Sequence, residues 1–145
     1  MVLALTAAAL NLLAGALGAW RYYAGVHSRA FWPLLRVAQA AALAVALLTG
    51  ALAAAGRHPR DDLYYLYALV PLAVGLVAEQ LRVASAESVL AACGLASARE
   101  VEGLSPDEQR SLVAAILRRE LGVMAASALV VCFLELRAAG TAHGF

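Results

Sequence analysis

With 145 residues, 63% of them hydrophobic and 14% charged, and a mean hydropathy of +0.78, the chain has too few polar side chains to cover a water-soluble globule. Its net charge of +1 supplies no overall field for nucleic acid or an acidic partner. Length and composition fit one membrane domain over 1–145, and a basic set made entirely of Arg, beside an alanine excess, fits a GC-rich bacterial genome.

The first apolar stretch, 2–20, approaches the roughly 20 helical residues that cross a bilayer core of about 30 Å. It lacks a positive n-region and outruns a usual signal-peptide core, so it reads as a retained span. Asn11 lies near its middle on a stripe with Ala7, Gly15 and Ala19, and Gly18 lies beside it. Trp20, Tyr22 and Tyr23 mark its end at headgroup level. A loop with Arg21, His27 and Arg29 leads to the second stretch, 31–55, which opens on Phe31 and Trp32. Arg36 and Gln39 share one face of it, and Ala46, Gly50 and Ala54 recur every fourth position. Such stripes of small residues admit close helix packing, either inside the bundle or against a partner helix.

A short loop, 56–62, contains Pro59 and clustered charges and supplies Asp61 or Asp62 as a cap. The third stretch, 63–81, begins with Tyr64, Tyr65 and Tyr67, expected at the headgroups, and carries Pro71, which frees the carbonyl of Tyr67. Glu79, Gln80 and Arg82 lie near its far end.

The connection 82–120 is predicted to be helical at both ends. Val83, Ala86, Leu90 and Cys93 recur at helical spacing up to Gly94, a residue type that stops a helix at its C-terminus. After a polar link, Ser105-Pro106-Asp107-Glu108 reads as a capping box with proline at the first helical position. Leu112, Val113, Ile116 and Leu117 then run into the fourth stretch, 121–136. Helices over about 62–94 and 106–137 would each be roughly 50 Å long, so both are expected to project beyond the membrane as a helical hairpin. Arg118, Arg119 and Glu120 read as a basic anchor where the last helix enters the membrane, and Glu135 with Arg137 as an interfacial pair at its other end.

The expected fold is therefore all-α: a polytopic four-transmembrane-helix bundle with helices 3 and 4 extended into a cytoplasmic hairpin. Arginines crowd the first and third connections, while the opposite side has Arg57, Arg60 and Arg137. The positive-inside bias puts both termini outside a bacterial cytoplasmic membrane.

Chemical signatures are sparse. The candidate site is a polar intramembrane cluster of Asn11, Arg36, Gln39, Glu79 and Arg82, with Arg36 and Glu79 able to meet one turn inside the boundary. It reads either as a structural pair or as a site facing a cavity. Cys93 and Cys132 stand apart, no phosphate-loop, zinc-protease or serine-hydrolase motif is present, and no histidine falls inside a span to ligate haem. No catalytic residue, metal or cofactor is assigned. The leading expectation is a non-enzymatic subunit or scaffold whose partners are the lipid bilayer and other membrane subunits or itself. The alternatives are an oligomeric transporter or channel working through Arg36, Gln39 and Glu79, and a haem- or quinone-binding redox subunit.

Overall fold

The computed structural model describes residues 1–26, 28–95 and 98–142. His27, His143 and residues 96–97 of the polar link, on which parts of the sequence reading fall, lie outside them. The described chain is all helical and forms a bundle of four helices, each long and apolar enough to cross a membrane: α1 (Val2–Ala24), α2 (Phe31–Ala54), α3 (Leu63–Ala92) and α4 (Pro106–Thr141). A 3-10 turn, Ala98–Gly103, precedes α4.

Helix ends follow local chemistry. Gly25, Gly56 and Gly94 have φ of 66°, 74° and 74°, the left-handed conformation that stops a helix without a Cβ clash. Asp62 holds the N-cap position of α3, while the neighbouring Asp61 carboxylate accepts the Leu63 N–H at 2.9 Å. Ser105 caps α4 in a complete capping box: its hydroxyl accepts the Glu108 N–H, and Glu108 accepts the Ser105 N–H at 2.9 Å. Pro71 sits buried within α3.

α4 is the hub. It packs along both α1 and α3, α1 also carries α2, and α2 meets α3 lightly and α4 barely. One core cluster gathers Ala14, Phe31, Leu35, Ala78, Met124 and Ala128, and a second, toward the chain termini, gathers Ala4, Ala7, Val45, Tyr64, Ala68 and Ala138. The α1 stripe is spent inside the bundle. A Cβ on Gly15 would stand 2.6 Å from Leu129, and one on Gly18 would stand 2.5 Å from Phe31 and 2.7 Å from Ala125. In α2 the stripe divides, for Ala46 is buried while Gly50 and Ala54 face outward.

Three expectations need correction. The last helix does not end at Arg137 but continues to Thr141, so Glu135 lies about 9 Å inside its end at 1.5 Å per residue. It is wholly buried and is not an interfacial partner of Arg137. Arg137 instead stacks on Tyr67, its guanidinium carbon 5.5 Å from the ring centre. In the extension of α3 the buried residue is Ser85, while Val83 is exposed. Ser85 continues the seven-residue repeat of Tyr64, Pro71 and Ala78 that faces inward along α3, so the seam wins over the local apolar spacing. Tyr64, expected in a headgroup belt, is buried and its hydroxyl lies 3.1 Å from that of Thr49.

Candidate functional site

Helical spacing brings four of the five candidate residues together. Arg36 and Gln39 are one turn apart on α2, and Glu79 and Arg82 are one turn apart on α3. Arg36 Nη1 donates to Glu79 Oε1 at 2.7 Å and to Gln39 Oε1 at 2.8 Å. Gln39 Nε2 also reaches Glu79 Oε1 at 3.4 Å, and Arg82 Nε lies 3.2 Å from Glu79 Oε2. Arg82 in turn stacks on Trp32, 5.5 Å from the ring centre. One carboxylate is thus shared by two guanidiniums, and the Arg36 side chain remains 53% exposed, so the cluster caps the seam instead of being sealed within it.

Below this cap the α2–α3 seam opens into a cleft of about 360 Å3. Its walls are almost wholly apolar, from Ala42 and Leu43 on α2 and Pro71, Leu72, Gly75 and Leu76 on α3, with Ala128 and Val131 of α4 behind. Leu43 and Leu76 are exposed on the outer surface of the bundle, so the cleft has a lateral mouth between them. A Cβ on Gly75 would meet nothing within 4 Å, which makes this glycine part of the open space. Such a cleft suits an apolar or amphipathic guest with a polar end at Arg36 and Glu79.

Asn11, the fifth candidate, also lines the cleft but belongs to a different set of bonds. Its Nδ2 donates to Glu135 Oε2 at 3.2 Å and lies 3.1 Å and 3.4 Å from the carbonyls of Ala7 and Ala38. Glu135 Oε1 is buried with no hydrogen-bond partner among the described residues. Buried polar atoms are almost always paired, so this oxygen is a point of stored cost between the two core clusters. Sequence reasoning missed it because the charge at Arg137 suggested a helix end. The available signal was the inward stripe of Ala128, Val131, Cys132, Ala138 and Ala139, on which Glu135 falls squarely.

The remaining candidates do not assemble. Arg118 stacks on Tyr22 at 5.0 Å, Arg119 is exposed, Glu120 is half-buried, and no ion pair joins the three among the described residues. Outside the four apolar segments, Glu108 is held below the ordinary carboxylate range by the Ser105 hydroxyl and then the Ser105 N–H. Cys93 is exposed and Cys132 buried, both as free thiols, and no cluster of metal-ligating side chains occurs among the described residues. No protein-family model, curated protein or solved structure matches this chain.

Proposed function

We propose that this is a small integral membrane protein, acting as a non-enzymatic subunit or scaffold of a larger membrane assembly. The observation that carries the reading is a mismatch of length. α3 and α4 have 30 and 36 residues, whereas a span takes about 20. Most of the surplus lies at one end, where Cys93 and Leu95 at the close of α3 line one pocket with Leu104, Glu108 and Leu112 of the approach to α4. In this reading the paired extension stands in the cytoplasm as a docking surface, and the arginine distribution puts both termini outside a bacterial inner membrane. Gly50 and Ala54 on the outer face of α2 offer a close-packing surface for another helix.

Two measurements test it. Isolation in mild detergent should recover the chain with other membrane proteins or with further copies of itself; recovery as a lone monomer overturns the scaffold role. A membrane-impermeant thiol reagent should label the exposed Cys93 in inverted vesicles and not in intact cells; the reverse pattern overturns the orientation.

The cleft beneath Arg36 and Glu79 favours a second reading, an oligomeric transporter or channel. Four helices enclose little room, so a pathway would be shared between subunits. Under this reading Arg36→Ala and Glu79→Gln abolish flux in reconstituted vesicles while the protein stays folded. Under the scaffold reading they weaken assembly or do nothing.

A further inference from the structure

A second, smaller pocket of about 130 Å3 lies between the end of α1 and the nearby turns of α4, lined in part by Arg21, Gly25, Leu117, Arg118 and Leu121. Its two guanidiniums are set differently from those of the Arg36 cluster. The ion pairs among the described residues join Arg36, Arg82 and Arg110 to acids, and neither Arg21 nor Arg118 has one. Each is held on an aromatic ring: Arg21 lies 4.9 Å from the ring centre of Trp20, and Arg118 lies 5.0 Å from that of Tyr22. Tyr22 comes this close to α4 because of Gly122, where a Cβ would stand 3.0 Å from the Tyr22 ring. A guanidinium stacked on a ring keeps its N–H edge for an acceptor in its own plane. Arg21 Nε is buried with no such acceptor among the described residues.

A buried donor without a partner, in a pocket with two cationic forks and no carboxylate on its lining, fits an oxyanion. Its level identifies the source. Trp20, Tyr22 and the exposed Tyr23 flank Arg21 in the last turns of α1, where aromatic side chains of a spanning helix sit among headgroups. We propose that Arg21 and Arg118 form a binding site for the phosphate of an anionic phospholipid from the surrounding bilayer, with Leu117 and Leu121 against the start of its acyl chains. The proposal rests on the membrane placement above and is independent of any docking role.

The test uses the full chain in dodecyl maltoside micelles, with binding of phosphatidylglycerol and phosphatidylcholine followed by native mass spectrometry. Wild type should retain one phosphatidylglycerol in preference to phosphatidylcholine. Arg21→Lys, which keeps the charge and loses the Nε fork, and Arg118→Gln at an exposed position should each weaken that binding about tenfold, the order of one hydrogen bond to a charged group. Arg119→Gln, next to the pocket but not lining it, should leave it unchanged. An equal loss in Arg119→Gln would reveal a diffuse basic surface and overturn the site. So would equal retention of the two lipids, unweakened binding in Arg118→Gln, or displacement of the lipid by millimolar inorganic phosphate. A chain that stays monodisperse without detergent would instead sink the membrane placement itself.

Discussion

Asn11 and Glu135 stand 124 positions apart in sequence and are joined by a 3.2 Å hydrogen bond in the middle of the α1–α4 interface. The amide is the carboxyl group's hydrogen-bond donor among the described residues, and it leaves Oε1 unserved. Replacing Asn11 with Leu strands both oxygens and is expected to cost about 1–3 kcal/mol. The double variant Asn11→Leu/Glu135→Met removes the demand together with the supply and should recover much of that loss. Unfolding in mixed micelles checks it; a double variant as unstable as the sum of the two singles would refute the coupling.

The glycines of α1 are spacing elements. Gly18→Ala places a methyl 2.7 Å from the Ala125 Cβ, which has no rotamer with which to yield. It is expected to destabilise by about 1–3 kcal/mol, the usual cost of overpacking. Gly15→Ala meets mainly the movable end of Leu129 and should cost less. Gly50→Ala meets nothing within 4 Å and should be neutral or gain up to about 1 kcal/mol from helix propensity. Melting temperatures of the three variants in one detergent should rank in that order.

Filling the cleft should not unfold the bundle. Gly75→Leu adds its side chain to open space, so thermal stability should stay near that of wild type. If the cleft takes a transported guest, flux through reconstituted protein falls while the melting transition is retained. Unfolding of the variant would show that the α2–α3 seam is closed in the membrane.

The capping box gives the extension a pH dependence of known sign. Glu108 is held below the ordinary carboxylate range when folded, so its stabilising contribution is complete at neutral pH. It is lost as the pH falls through that lowered value. Amide exchange in the first turn of α4 should accelerate in acid while the apolar segments stay protected. Ser105→Ala should show the faster exchange already at neutral pH and lose its acid dependence.

Much of the architecture was legible because lipid-length apolar runs, capping residues and stop glycines are local signals. Ser105, Glu108 and Gly94 each announce a helix end within four residues of sequence. The meeting of Arg36 with Glu79 was also legible, since both lie about one turn inside the limits of the apolar stretches 31–55 and 63–81. What stayed hidden depended on relative rotation and depth. The charge at Arg137 hides that α4 runs on for another turn, and the inward turn of Glu135 emerges only when the stripe from Ala128 to Ala139 is followed through it. Ser85 looks like a surface residue until the seven-residue repeat along α3 is followed through it. The cleft is a property of how lightly α2 leans on α3, which depends on three helices at once.

The α2–α3 seam is clasped at both extremities, by Arg36 with Glu79 at one and by the hydroxyls of Thr49 and Tyr64 at the other, with open space between. At about 1.5 Å per residue the two clasps are roughly 20 Å apart along α2. α2 is anchored chiefly through α1, and neither clasp belongs to the α1–α4 spine. The bundle therefore rests on a spine of α1, α4 and α3, to which α2 is latched on its α3 side at two points instead of along its length.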